Sequence, residues 1–428
     1  MVCWSLSGQN TCCRRDWFPF DWEDHFRTSL LNKIKVRYAS TKPSRILVFE
    51  SRTGAALVDT VLRDLDFRIL DCRFRRYTNQ VCLLNGAVIC AMLKYRFSKK
   101  VGWIDAYLMA WIAVSKAEVV LDRSHNLNLA LYARYFPETH FFLIQNGSWL
   151  ISLNPKIESP RFIQMLSKKA STLTLNLHVC CFGQNDIEKI AGTSDEIKFH
   201  PMPIGSLMGD HYFFAKCGQK SPPAKYRICL CSQAVPARIA KGGALGERRL
   251  RAYELLDQFL VRFCDEHQVS AVIAPRKKPG DEDWQEERNF HLATIGSSTM
   301  VQVAEQQGRD ATYELMNESE VVLSLYSTTG FEAIKWGKKV MFCPFYHDDV
   351  FKASSPRFVK DSDCWPWWLA EPDYDAFNSM LKRLLDAPDV AYLEKTREAA
   401  SYLSGYGMPT GAHEALHDAV NGILKKQR

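Results

Sequence analysis

Glu320-Val-Val-Leu-Ser-Leu-Tyr-Ser-Thr-Thr-Gly-Phe-Glu-Ala-Ile-Lys-Trp-Gly-Lys-Lys-Val-Met-Phe342 is the stretch that decides the fold. Residues 321–326 form an apolar run with the length of a buried parallel strand. Ser327, Thr328, Thr329 and Gly330 then turn, and residues 331–336 read as a short helix. Gly337 stands where a helix C-terminal glycine belongs, and residues 340–343 read as the next strand. The unit is strand, turn, helix, strand, with a hydroxyl-rich turn at the carboxyl end of a strand. Free N–H groups and the positive end of a helix collect at such a turn, so a phosphate or a ribose can bind there. Glu332, in the first helical turn, is suited to accept hydrogen bonds from a ribose. The plain alternative is an ordinary crossover whose helix is capped by Ser327 or Thr328.

The same alternation continues on both sides. Upstream, residues 226–231 read as a strand ended by Ser232 and Gln233, and 246–267 hold a long helix. Residues 269–274 read as a strand ended by Pro275, Arg276, Lys277 and Lys278, and 313–317 as a short helix. Downstream, 381–385 and 392–403 read as terminal helices. An earlier pattern starts at Arg45, with strands at 46–50, 67–70, 118–121, 140–145 and 173–180. Its helices are expected at 55–65, 126–135, 161–169 and 184–191, while 81–93 and 104–116 read as apolar helices or buried segments. Strands alternating with helices imply mostly parallel sheets covered on both faces. The expectation is therefore α/β: two Rossmann-like, doubly wound domains facing a cleft. The expected boundaries are an extension at 1–44, an N-terminal domain at 45–208, a C-terminal domain at 222–405 and a C-terminal helix at 406–428. Pro201 to Ser206 closes the first half, and Ser221-Pro222-Pro223 marks the linker.

A chain of 428 residues is long enough for two such domains. Its 46% apolar and 24% charged residues are ordinary for a globular enzyme. The net charge of +7 is uneven: residues 68–100 carry eight Lys/Arg against Asp71, a balance of +7. The remainder is balanced, which argues against a nucleic-acid binder. Fourteen cysteines include no C-x-x-C pair, and Cys12-Cys13, Cys180-Cys181 and Cys229-x-Cys231 are too close for structural bridges or a standard zinc site. They read as buried free thiols, which suits a reducing cytoplasm. The N-terminus lacks the apolar core of a signal peptide, and no segment reaches the roughly 18 apolar residues of a membrane span.

Ligands of such folds gather at the carboxyl ends of strands. In the second half these ends carry Ser232, Gln233, Arg276, Lys277 and the 327–330 turn, a set that suits a nucleotide phosphate. For the cations the plain alternative is a solvated run, followed by acidic Asp281, Glu282 and Asp283. In the first half the ends carry Glu50, Asp122 and His125, the candidates for the base or nucleophile of a transfer to a hydroxyl. Asp122 as a helix cap and His125 as a loop histidine are their plain alternatives. His413-Glu-Ala-Leu-His417 matches a zinc-peptidase pattern, but apart from Asp418 no third ligand follows it, so no metal is expected. Residues 68–100 interleave cations with Phe74, Tyr77, Tyr95 and Phe97, which suits either an anionic membrane surface or a basic rim around core aromatics. The aromatic extension reads as a tail packed on the first domain, and Trp365-Pro-Trp-Trp368 as a packing cluster.

Pro203-Ile-Gly-Ser-Leu207, the 320–342 unit and Trp367-Trp-Leu-Ala-Glu-Pro372 together resemble bacterial surface carbohydrate (O-antigen or capsule) biosynthesis proteins, transferases of the GT-B type. The resemblance runs over residues 45–405. The Ser-Thr-Thr-Gly-Phe-Glu-Ala element is shared more loosely with CDP-glycerol phosphotransferases, sialyl- and Kdo-transferases and UDP-sugar 2-epimerases. The resemblance implies an activated-sugar donor on the C-terminal domain, a saccharide or lipid-linked acceptor on the N-terminal one, and no cofactor or essential metal. Carried over, Ser327, Thr328, Thr329, Gly330 and Glu332 contact the donor nucleotide; no catalytic residue aligns. The expected activity is glycosyl transfer in the cytoplasm, with the inner face of the membrane as a site of peripheral attachment through residues 68–100. A polyol-phosphate transferase, an epimerase and a non-catalytic binding subunit are the alternatives.

Overall fold

A computed structural model describes residues 34–38, 43–49, 60–70, 80–122, 129–145, 173–191, 197–216, 223–240, 242–305, 307–308, 310–325, 327–346, 365–408 and 410–426. Glu50 and His125 lie outside the described residues, as do residues 1–33, most of the expected helix 55–65 and all of the expected helix 161–169.

In chain order the strands are β1 (Ile34–Tyr38), β2 (Ile46–Phe49), β3 (Phe67–Leu70), β4 (Gln80–Leu84), β5 (Val119–Asp122), β6 (His140–Ile144), β7 (Leu173–Cys181), β8 (Ile197–Pro203), β9 (Tyr226–Cys231), β10 (Ala271–Ala274), β11 (Val301–Val303), β12 (Ser319–Ser324) and β13 (Lys339–Phe342). The helices are α1 (Gly86–Ser98), α2 (Trp103–Ser115), α3 (Leu129–Tyr135), α4 (Gln184–Ala191), α5 (Leu207–Lys216), α6 (Pro236–Ala240), α7 (Ala244–His267), α8 (Trp284–Ile295), α9 (Ala311–Asn317), α10 (Thr328–Lys335), α11 (Tyr374–Asp386), α12 (Asp389–Ser404) and α13 (Ala412–Lys426). They form two compact units, Met1–Lys42 with Leu70–Val114, and Pro43–Ile69 with Ser115–Arg428.

In the first unit, β1 pairs in parallel with β4, from Ile34 opposite Gln80 to Tyr38 opposite Leu84. The aperiodic extension thus ends in a strand. The expected apolar segment 81–93 divides into a strand and a helix at Asn85. The extended Asn85 accepts the Val88 N–H at 2.9 Å through its side chain and so starts α1. The Tyr107 hydroxyl bonds both the N–H and the carbonyl of Leu83 at 3.1 Å, which pins α2 to β4.

The second unit holds two sheets. One has the order β3-β2-β5-β6-β7-β8 and the other β11-β10-β9-β12-β13. Every pair of the latter is parallel. Its strands are continuous apolar runs because helices cover both faces; Ile228, Leu230, Val272, Ile273, Val322, Leu323 and Met341 are fully buried. β8, α5, α8 and β11 lie where the sequence reading placed no element. The C-terminal helix α13 sends Ala412, Leu416, Val420 and Leu424 into the core of the first sheet, beside Ile46, Val48, Val119 and Phe142. Residues at that spacing share one helix face, so α13 completes the N-terminal half although it is last in the chain.

Candidate functional site

The five-stranded sheet sets the site by register. Cys231 lies between Ala274 and Ser324, so β9, β10 and β12 end side by side. From β9 the chain winds to β10 and β11 on one side, then returns to β12 and β13 on the other. The order reverses at β9, and the crevice outside such a reversal is where ligands bind in this class of sheet.

The helix after β12 begins at Thr328, three residues before the sequence-based expectation, because Ser327 caps it. Ser327 Oγ accepts the Thr329 N–H at 3.4 Å and the Thr329 hydroxyl at 2.8 Å. It also accepts Gln233 Nε2 at 2.9 Å, which joins the β9 loop to the β12 loop. Thr328, Thr329 and Gly330 therefore form the first helical turn. A Cβ on Gly330 would lie 2.6 Å from Cε1 of Phe342, so the glycine lets α10 press on the sheet. At the other end Gly337 has φ +73°, its N–H reaches the Ile334 carbonyl, and the Lys338 N–H reaches that of Ala333. These paired bonds are a Schellman stop, as expected for Gly337.

Glu287 of α8, fully buried, shapes the β10 loop. Its Oε1 accepts the Arg276 N–H at 3.0 Å and its Oε2 the Lys277 N–H at 2.8 Å. Ser232 Oγ lies 3.3 Å from Glu287 Oε1 and 2.8 Å from His291 Nε2, while His291 Nδ1 lies 2.6 Å from Asp257. Burial disfavours the imidazolium of His291, but the Asp257 carboxylate and its hydrogen bond outweigh that and raise the pKa. Burial also pushes the carboxyls of Asp257 and Glu287 up. Ser232 is thus the hub of a buried network that holds two strand-end loops. Asp257, Glu287 and His291 were missed in the sequence; the available signal was Glu287 and His291 four apart, one helical turn.

The three cations of the loop diverge. Arg276 is exposed. Lys277 Nζ bonds the Glu282 carbonyl at 2.8 Å and lies 3.7 Å from Asp283, so it turns to the acidic run. Lys278 Nζ bonds Thr312 Oγ1 at 2.9 Å, and burial lowers its pKa. Three consecutive cations carry no phase, so the sequence alone did not single out Lys278.

Glu332 is buried and accepts hydrogen bonds from the Tyr313 hydroxyl at 3.0 Å and from the Ser206 hydroxyl. Lys335, three residues on, pairs with buried Asp210 and donates to the Ile204 carbonyl at 3.1 Å. Gly205, at φ +87°, leaves room for the Lys335 side chain, and a Cβ on Gly209 would lie 2.6 Å from the Trp336 ring. The segment around Pro203 and the 320–342 unit are therefore the two sides of one joint. Glu332 is thus committed to this joint: one carboxylate oxygen takes Ser206 and the other Tyr313, and the side chain is 5% exposed.

In the first half, Asp122 is the last residue of β5, in register with Phe49 and Leu143 and 1% exposed. It sits where the order of that sheet reverses, between β2 and β5. His417 Nδ1 bonds the Val61 carbonyl at 2.8 Å, and burial lowers the pKa of His413, so these two imidazoles serve the α13 packing. Trp365 Nε1 donates to the Val340 carbonyl at 3.1 Å, and Trp368 bridges Phe342, so the tryptophan cluster packs on the sheet edge.

Residues 247–406 match the family described as "putative O-antigen biosynthesis protein". No curated protein matches. Among solved structures, Staphylococcus aureus MnaA with UDP superposes at a TM-score of 0.52 with 12% identity, over 89% of this chain and 97% of that one. The UDP-GlcNAc 2-epimerase of Neisseria meningitidis, bound to UDP-GlcNAc, gives 0.50 with 15% identity, over 89% and 99%. The wall teichoic acid polymerase TagF, soaked with CDPG, gives 0.50 with 14% identity, over 90% of each chain. The fold is GT-B. In this GT-B chain the Ser327 turn, Gln233 and the Glu287-held loop all belong to the C-terminal Rossmann-like half.

Proposed function

We propose that the chain is a glycosyltransferase that uses a nucleotide-activated sugar to build a surface polysaccharide of the O-antigen or capsule type. The observation that carries this reading is that the loop after β9 ties together the strand ends on both sides of it, Gln233 bonding Ser327 at the capped start of α10 and Ser232 meeting the Glu287 that holds the loop after β10. The match to an O-antigen family and three solved relatives that hold UDP, UDP-GlcNAc and CDPG support it.

On this reading the donor phosphates lie against the Thr328 N–H and the hydroxyls of Ser327, Thr328 and Thr329, with the exposed Arg276 supplying positive charge; Lys277 reaches them only by leaving Asp283. An acceptor hydroxyl of a saccharide or lipid-linked saccharide attacks the anomeric carbon. The bond from that carbon to the phosphate oxygen breaks, and the nucleotide leaves with the electron pair. The acceptor proton passes to one of Glu50, Asp122 or His125. The helix end and Arg276 stabilise the leaving group without a metal.

The test is a thermal-shift screen with UDP, CDP, GDP, CMP and their sugars, without added metal. Ligand at a hundred times its Kd stabilises by about 2.7 kcal/mol. We expect one nucleotide to raise Tm, and Thr328→Ala with Thr329→Ala to remove most of the shift. An unchanged shift in the double variant would sink the placement. The epimerase and TagF likenesses keep a second reading open, an epimerase or polyol-phosphate transferase on the same donor site. Products decide: a glycosidic bond, a phosphodiester, or a sugar epimerised without acceptor.

A further inference from the structure

Helix α1 has an apolar outer face. Val88 is its buried residue, and Ala91, Met92, Tyr95 and Arg96 are half-buried beside it. On the opposite side Ile89, Leu93 and Phe97, four residues apart, are exposed, Phe97 by 70%. The surface continues into the start of α2, where Trp103 is 48% exposed and meets Phe97 edge-on at 6.4 Å. Ile104 is exposed next to it. Isolated exposed apolar residues are normal, but a contiguous set with a Phe and a Trp marks an interaction surface.

Charge says which partner it fits. Residues 86–104 contain no Asp or Glu, and Lys94, Lys99 and Lys100 are exposed along the same helix and turn; Asp105, in the first turn of α2, is half-buried and outnumbered by them. Arg96 donates to the Val101 carbonyl at 3.1 Å and lies 5.4 Å from the Trp103 ring, so the turn that carries these groups is braced. An apolar stripe with an aromatic pair and a cationic rim is the pattern of a helix lying in a lipid interface. At 13 residues α1 is far too short to cross a bilayer, and no helix among the described residues is long and apolar enough to do so.

We propose that α1 and the first turn of α2 dock on an anionic phospholipid surface, with Ile89, Leu93, Phe97 and Trp103 in the interface and Lys94, Lys99 and Lys100 against the headgroups. This deepens the functional reading, since a lipid-linked acceptor is presented at such a surface, but it does not depend on the donor site.

The experiment is co-sedimentation of the full chain with phosphatidylcholine vesicles, with and without phosphatidylglycerol, at low and high salt. Each cation removed weakens binding to the anionic vesicles about fivefold, so Lys94→Glu with Lys99→Glu lowers it by at least about 25-fold. Phe97→Ser with Trp103→Ser lowers the binding that survives high salt. Melting curves confirm that both variants fold, and the nucleotide thermal shift stays unchanged in them. Absence of binding, equal binding to neutral vesicles, or binding that neither double variant weakens would each overturn the proposal. So would a self-associated chain whose oligomer Phe97→Ser dissolves in sedimentation velocity, which would make a second copy the occupant. A failed donor screen beside intact vesicle binding counts only against the functional reading.

Discussion

At Gly330 two residue-level effects oppose each other. Alanine is the better helix former by about 1 kcal/mol, yet its methyl would sit 2.6 Å from Phe342 and 3.2 Å from Ser324 Cβ. Overpacking of this kind costs about 1–3 kcal/mol, so Gly330→Ala is expected to destabilise by a net of up to about 2 kcal/mol in urea unfolding. A more stable variant would show that close packing is not why glycine stands there. The role of Ser327 as a cap was legible because capping is local chemistry. The commitment of Glu332 to Ser206 was not, since its partner is 126 residues away.

Among the elements, the sheet strands of the N-terminal half carry a feature that no pattern of strands announces. His178 stands in register with Phe142 on one side and His200 on the other. The rings stack at 4.4 Å on Phe142, 5.3 Å on His140 and 5.0 Å on His200. Burial, and then the charges of its neighbours, hold the His178 pKa down at about 4, and burial likewise lowers that of His140. A folded-state pKa below the unfolded value means that the folded state binds fewer protons, so stability falls as pH drops from about 6.5 towards 4. We expect the fold to lose about 1–2 kcal/mol through His178 between pH 7 and pH 5, and His178→Phe to flatten that part of a Tm-against-pH curve. An equally steep curve in the variant would assign the acid sensitivity elsewhere. Strand positions were legible here because buried parallel strands are short apolar runs. β8 and β11 were not, because Pro201 and Pro203 interrupt one and the other has only three residues.

At the scale of the second unit, the joint between its halves is a buried polar contact. Asp210 is fully buried and the Lys335 side chain nearly so, and Asp210 Oδ2 also accepts the Ala412 N–H at 2.5 Å, which ties in the C-terminal helix. Removing one member of a buried pair strands the other charge and costs about 3–5 kcal/mol. Lys335→Met should therefore destabilise by that much in urea unfolding, and Asp210→Asn added to it should restore a large part. Equal losses in the single and double variants would show that the charge pair is not what the joint depends on.

Local sequence determined the periodicity, and with it the alternation of strands and helices, the parallel doubly wound sheets and the Ser327 turn with its Gly337 stop. These follow from short-range rules: apolar runs bury, hydroxyls cap, glycine adopts positive φ. Tertiary structure alone decided that α13 completes the first sheet, that Glu287 and His291 of an unforeseen helix hold the β10 loop, and that Gly205, Ser206 and Asp210 meet α10. Each of these joins residues far apart in the chain, and a buried polar group reveals its partner only when folding brings that partner within hydrogen-bond reach.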